Sequence, residues 1–151
     1  MKSPKPSVII PVYNEERTIP SILEIVRTWG KALEIIVIND GSTDKTIDSI
    51  QQFASHIRLI SYKRNFGKAH AMVAGVRVAR GDIVLFLDGD LVGLTHRDLN
   101  NLVIPIATGL ADMTIGARDT HKKGPKPFKT IGGERALKRS ELLPILSDIK
   151  H

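Results

Sequence analysis

An alternation limits this chain more than any other feature. Short apolar runs rich in β-branched residues, SVIIPV (7–12), EIIVIN (34–39), IRLISY (57–62) and IVLFL (83–87), are each separated by a stretch with helical spacing. Runs this short and continuous read as strands covered on both faces. Ile19, Ile22, Leu23, Val26 and Trp29 share one side of a first helix, which starts near Pro20 and stops at Gly30. Thr43 is the expected cap of a second, carrying Ile47, Ile50 and Ala54, and a third turns Met72, Val73 and Val76 inward. Thr95 and Asp98 form a capping-box pattern before a helix with Leu99, Leu102, Val103 and Ile106, which Pro105 should kink or shorten. DMTIGA (112–117) reads as a fifth strand and ERALKRSELL (134–143) as a last helix ahead of Pro144. The fold class that follows is α/β, with a mainly parallel sheet and helices on both faces. The 151 residues suffice for one such domain.

Sheets of this kind bind ligands at the carboxyl ends of their strands. The polar clusters fall there: Asn14 and Glu15, Asp40, Arg64 to Lys68, then Asp88 and Asp90. The last pair, with only Gly89 between, closes the most apolar strand of the chain. Read as a turn, Asp-Gly-Asp is unremarkable, since both residue types favour turns. Read as a site, two carboxylates this close repel unless a cation or donor compensates. Mg²⁺ or Mn²⁺ suits such oxygen donors, and Mg²⁺ is commonly held by one or two carboxylates together with substrate phosphates. The pair therefore points to a diphosphate-bearing ligand whose departing charge a cation would stabilise. Lys68 and Arg64, beside Gly67, would add positive charge. Asp40 and Glu15 suit either a ribose or base hydroxyl or the backbone amides of their own turns. Ser42 and Thr43 read as caps, since no nearby histidine completes a triad. The five histidines lack zinc-ligand spacing, and Trp29 reads as a core residue.

Charge and composition narrow the partners. The formal net charge is +6, which favours anions: nucleotides, phosphorylated acceptors, nucleic acid or lipid headgroups. No cysteine is present, so thiolate metal sites and disulfides are excluded. No apolar run approaches the length of a bilayer span, and the first residues lack the apolar stretch of a signal peptide. A cytoplasmic location is expected, with peripheral membrane association open. KKGPKPFK (122–129) is basic and rich in Gly and Pro, so residues 119–131 are expected to form a mobile loop. Neither GxxxxGK[ST] nor a GxGxxG after the first strand occurs, which argues against a P-loop NTPase or an ordinary dehydrogenase. A sugar nucleotidyltransferase would show a Gly-rich basic loop where this chain has YNEER (13–17). A nucleic-acid module rests on net charge alone. Only Tyr13, Phe66 and Phe128 fall in expected loops, too few for a stacking platform, so no nucleic acid is expected.

The blocks SVIIPVYNEERTI, EIIVINDGSTDKT and NFGKAHAMVAGVRVARGDIVLFLDGDL, in that order, resemble the family 2 glycosyltransferases of the GT-A fold over Ser7 to about Arg118. The resemblance implies a nucleotide-diphosphate sugar donor and Mg²⁺ or Mn²⁺. It implies that Pro11, Tyr13, Glu15 and Asp40 contact the nucleoside, with Lys68 nearby. Asp88 would lie by the ribose and diphosphate, and Asp90 would bind the metal, the two forming the catalytic DxD pair. DGDLVGL (88–94) and GGERALKRSELL (132–143) are similar to the enzymes that glycosylate phosphoglycerate. That finer likeness puts Gly133, Arg135 and Arg118 on the side of a small anionic or lipid-phosphate acceptor. A homo-oligomer is compatible with it. Inverting members need a carboxylate base, for which Asp119, Glu134 and Asp148 are the candidates, and many processive members carry a Q-x-x-R-W segment that this chain lacks. Donor binding without transfer is the alternative reading, and a retaining mechanism stays open.

Overall fold

The computed structural model describes residues 3–118 and 130–148. Its elements follow in the order β1 (Pro6–Val12), α1 (Ile19–Trp29), β2 (Glu34–Asp40), α2 (Thr46–Gln51), β3 (Arg58–Tyr62), α3 (Lys68–Val78), β4 (Ile83–Phe86), α4 (His96–Ala107), β5 (Met113–Arg118), β6 (Thr130–Lys138) and α5 (Arg139–Asp148). Six strands form one sheet in the order β3-β2-β1-β4-β6-β5. β1 to β4 run parallel, whereas β6 is antiparallel to both β4 and β5.

Strand alternation splits the core in two. Val8, Ile10, Ile35, Val37, Ile83 and Leu85 face the layer of α1 and α4. Ile9, Ile36, Ile38, Val84 and Phe86 face α3, with Leu142 and Leu146 of α5 packed against them. Both faces are therefore covered, which is why β1, β2 and β4 read as unbroken apolar runs. On α1, Ile19, Ile22, Leu23, Val26 and Trp29 are buried as their spacing requires, and Gly30 closes the helix in the left-handed region at φ 68°. The Thr95–Asp98 capping box forms in both directions. Pro105 lies inside α4, and the helix ends two residues later at Ala107.

Four local expectations are corrected. Residues 134–138 are strand, not helix: register pairs Phe86 with Arg135 and Val84 with Leu137, and the helix begins only at Arg139 with Pro144 inside it. The apolar spacing there served a strand between two others, a tertiary choice that periodicity over so short a window does not separate from a helix. Thr43 is not the cap of α2, which starts at Thr46 with Lys45 before it. The inward face of α3 is Ala71, Gly75 and Val76, with Met72 partly buried and Val73 outside the core cluster. Gly75 sets this face: a Cβ there would overlap Ile9 Cγ2 and lie 3.0 Å from Ile38 Cδ1, so the helix rests directly on the sheet. Of the expected loop 119–131, the last two residues belong to β6 and the rest lie outside the described residues.

Candidate functional site

Parallel pairing brings the carboxyl ends of β1, β2 and β4 to one edge. β4 ends at Phe86, although the Leu87 amide still donates to the Ile9 carbonyl at 3.0 Å. Backbone groups of alternate residues point to the same neighbour. The side of Pro11 that lacks an N–H therefore faces the place where β4 has already stopped, and no ladder bond is lost.

The loops after β1 and β2 are stitched together. Asn14 takes a left-handed backbone at φ 56°, and its Oδ1 accepts from the Thr43 amide at 2.8 Å. Its own amide donates to Ser42 Oγ at 3.0 Å, and the Glu15 amide to Thr46 Oγ1 at 2.8 Å. Tyr13 and Glu15 are thereby held on the rim of a cleft. Ser42 serves as an acceptor within this clasp and takes no nucleophile's position.

Asp40 ends β2, buried. Its Oδ1 accepts from the Phe66 amide at 2.9 Å and its Oδ2 from the Gly67 amide at 2.8 Å. The carboxylate thus orders the turn that launches α3 and carries Lys68. Gly41, at φ 76°, lies so close to this turn that a Cβ would collide with the Arg64 backbone. The missing Cβ at Gly41 is what lets the turn approach the end of β2.

The acidic turn faces Lys68. The Lys68 ammonium pairs with Asp88 Oδ1, so the chain itself supplies part of the compensating charge. Gly133 on β6 lies against the same carboxylate: a Cβ there would overlap Asp88 Oδ2. Gly89 is wedged against β1, with Val12 Cγ1 at 3.0 Å and the Pro11 carbonyl at 3.2 Å from the place of a Cβ. Thr18 Oγ1 donates to the Gly89 carbonyl at 2.7 Å and lies 3.2 Å from Glu15 Oε2. Burial pushes the Glu15 carboxyl above its ordinary value, against the lowering by the Thr18 hydroxyl, and the charges of Asp90, Asp44 and Asp88 push it further up. Asp90 is exposed at the mouth.

A cleft of about 320 Å³ lies between these parts. It gathers Pro11, Tyr13, Glu15, Asp40, Lys68, Asp88 and Asp90, all seven singled out from sequence. Asn65 and Ala71 also line it and were not singled out. Asn65 had a signal, since it stands in the polar run at the end of β3, while Ala71 had none. Thr18, which tethers Gly89, was likewise missed, because its position at the start of α1 reads as a cap. Arg64 does not line the cleft: its guanidinium lies over the Phe66 ring, 4.7 Å from the centroid. Arg135 is exposed and donates to the Gly133 carbonyl at 3.3 Å, away from the cleft lining. Arg118 ends β5.

A second cleft of about 860 Å³ adjoins the first through Asp90 and is lined by Leu91 to Leu94, Asn101, Thr114 to Gly116, and Glu134. Of the candidate bases, Glu134 is buried there beside Gly116, whose place for a Cβ is 3.0 Å from Glu134 Oε2. Asp119 lies outside the described residues. Asp148 ends α5.

Among the described residues no group of three or more His, Asp or Glu side chains could encage a metal. The donor set nonetheless fits a hard divalent ion of the kind that shares its shell with phosphates and waters. Asp90 offers an exposed carboxylate next to Asp88, and Lys68 stands beside them for a second anionic group.

The chain is similar to known proteins along nearly its whole length. Residues 7–147 match the model of Glycosyl transferase family 2. It is 30% identical over 126 residues to dodecaprenyl-phosphate galacturonate synthase of Rhizobium johnstonii, covering 78% of this chain and 37% of that protein. It is 42% identical over 93 residues to undecaprenyl-phosphate 4-deoxy-4-formamido-L-arabinose transferase of Pectobacterium carotovorum, covering 56% of this chain and 28% of the relative. Thus the chain spans about a third of the length of these curated relatives. The Mycobacterium tuberculosis glucosyl-3-phosphoglycerate synthase, solved with Mn²⁺, UDP-glucose and phosphoglyceric acid, superposes with a TM-score of 0.76 at 27% identity over 92% of this chain and 58% of that one. A Pyrobaculum calidifontis mannosyltransferase solved with GDP-mannose and Mn²⁺ superposes at 0.77 and 25% identity over 96% and 47%. The matched span contains every strand of the sheet and both clefts, and on that ground the chain belongs to glycosyl transferase family 2, with the GT-A fold.

Proposed function

We propose that this chain binds a nucleotide-diphosphate sugar and serves its transfer to an acceptor, with Mg²⁺ or Mn²⁺ as cofactor. The observation that carries the reading is the grouping of Lys68, Asp88 and Asp90 at the carboxyl ends of the parallel strands, on a cleft flanked by Tyr13 and Asp40. Pro11, Tyr13, Glu15 and Asp40 bound the nucleoside end. Lys68 offsets diphosphate charge and holds Asp88 in place. A divalent ion bound at Asp90 would supply Lewis acidity toward the leaving diphosphate.

For the acceptor we propose a phosphorylated molecule, either a lipid phosphate or a small anion. The names of the curated relatives specify polyprenyl phosphates, and a solved relative holds phosphoglyceric acid. The second cleft, reached past Asp90, is the proposed place for it; Gly133, Arg135 and Arg118, outside that lining, are proposed as acceptor contacts on the resemblance alone. Of the three candidate bases, Glu134 lines this cleft and is the one proposed to accept a hydroxyl proton. No helix among the described residues is long and apolar enough to cross a membrane.

Calorimetry with UDP-, GDP- and ADP-sugars, with and without Mn²⁺, tests the donor half. Binding of one class, strengthened by Mn²⁺ and lost in Asp90→Ala, is expected. Pyrophosphate release from a sugar phosphate and NTP would replace the reading by nucleotidyl transfer. Donor binding with neither transfer nor hydrolysis would leave a binding domain.

A further inference from the structure

We infer that Thr18 is a positioning residue for the acidic turn: its hydroxyl fixes the Gly89–Asp90 peptide, and through it the direction in which Asp90 presents its carboxylate. The inference rests on the donor-and-metal reading of the cleft and assigns Thr18 a role in it.

Thr18 stands in the N-cap position of α1, where a threonine hydroxyl ordinarily accepts from an amide of the first turn. It makes no such bond. The helix start is met otherwise, by Pro20 near its first position and by the Thr18 and Ile19 amides donating to the Glu15 carbonyl at 3.2 and 3.1 Å. The hydroxyl instead reaches across 71 residues of sequence to the Gly89 carbonyl at 2.7 Å, its shortest contact, with Glu15 Oε2 at 3.2 Å as the competing acceptor. That carbonyl belongs to the peptide joining Gly89 to Asp90. Turning it changes ψ of Gly89 and φ of Asp90, and whatever part of the two changes does not cancel redirects the Asp90 side chain. Glycine at position 89 leaves this rotation soft, because no Cβ opposes it. Packing of Gly89 against Val12 and Pro11 limits its position, but only the Thr18 bond holds the orientation of that carbonyl among the hydrogen bonds described. A cation site built from few protein ligands depends on such outer contacts for its geometry, and their loss typically costs 10- to 100-fold in metal affinity.

The test measures UDP and GDP affinity by calorimetry at zero and saturating Mn²⁺ in the parent chain, in Thr18→Val and in Thr18→Ser. Valine keeps the shape and removes the hydroxyl, while serine restores it. The expected result is that the factor by which Mn²⁺ strengthens the tighter-binding nucleotide falls about 10-fold or more in Thr18→Val. Metal-free affinity stays within twofold, and Thr18→Ser recovers the parent factor. A thermal unfolding midpoint for each variant separates a folding defect, which would lower both affinities alike. The inference is overturned if Thr18→Val keeps the parent Mn²⁺ factor, if it loses affinity equally with and without metal, or if serine fails to restore the factor. Failure of the parent chain to bind either nucleotide would instead sink the donor reading, and this inference with it.

Discussion

Asp88 shows how one side chain is constrained from three directions. Lys68 pairs with it, β6 passes so close that a Cβ at 133 would displace it, and Gly89 follows it under β1. Gly133→Ala should therefore push the carboxylate out of the cleft. Calorimetry should show UDP or GDP affinity reduced about tenfold or more, the equivalent of about 1.4 kcal/mol. Lys68→Met leaves Asp88 without its ion pair and removes a charge from the cleft. Nucleotide affinity should fall by a similar factor, and the loss should shrink in high salt because half of Lys68 is solvated. Lys68 was singled out in the sequence as lying near the nucleotide and Gly133 as lying on the acceptor side, but the contact of either with Asp88 was not. That Lys68 belongs to Asp88 is a contact over 20 residues of separation, which no local pattern encodes.

At the scale of elements, the close packing of α3 on the sheet is the most testable feature. Gly75→Val should overpack the interface with Ile9 and Ile38 and lower stability by about 1–3 kcal/mol, read as a shift of the urea midpoint at constant slope. The turn formed by Gly41 against Arg64 is a second. Gly41→Ala would meet both a left-handed backbone and a collision, so it should lower the thermal midpoint and weaken nucleotide binding together, since Asp40 and Lys68 share that turn. The first four strands and the first four helices were legible because each has an apolar period covered in its own segment. β6 was not. Its Ala136 is buried and Leu137 packs on the other face, an alternation of two residues that a helical window absorbs equally well. Only the vacancy beside β4 and the antiparallel partner β5 select the strand.

The whole molecule is tied at the edge opposite the cleft by a polar network. Ser7 is wholly buried, donates to Glu34 Oε1 at 2.7 Å and accepts from the Gly81 amide at 2.8 Å. The Arg80 amide donates to the same Oε1 at 2.7 Å, and its Nε lies 3.2 Å from Oε2. Burial alone would raise the Glu34 carboxyl, but these donors from Ser7 and Arg80 outweigh it and hold the group below its ordinary 4.5. A depressed carboxyl stabilises the fold when ionised. Its contribution is complete above the unfolded value and is lost as pH falls from there through the folded value. Glu34→Gln should cost about 1.5–3 kcal/mol at neutral pH, and denaturant midpoints of variant and parent should converge in acid. An unchanged gap at every pH would mean that charge is not what Glu34 contributes.

The sequence by itself determined a parallel α/β sheet with its polar residues at the carboxyl ends, because local periodicity and strand composition are properties of consecutive residues. It also singled out seven of the residues that line the first cleft, because they stand at the strand ends or in the loops that follow them, although Arg64, singled out with them, does not line it. Tertiary structure alone decided that Asp40 is engaged by the Phe66 and Gly67 amides, that Arg64 turns to Phe66, that residues 134–138 extend the sheet, and that Thr18 reaches Gly89. Each of these is a choice among partners distant in sequence. Such choices are settled by which groups the assembled sheet brings within hydrogen-bonding or van der Waals range.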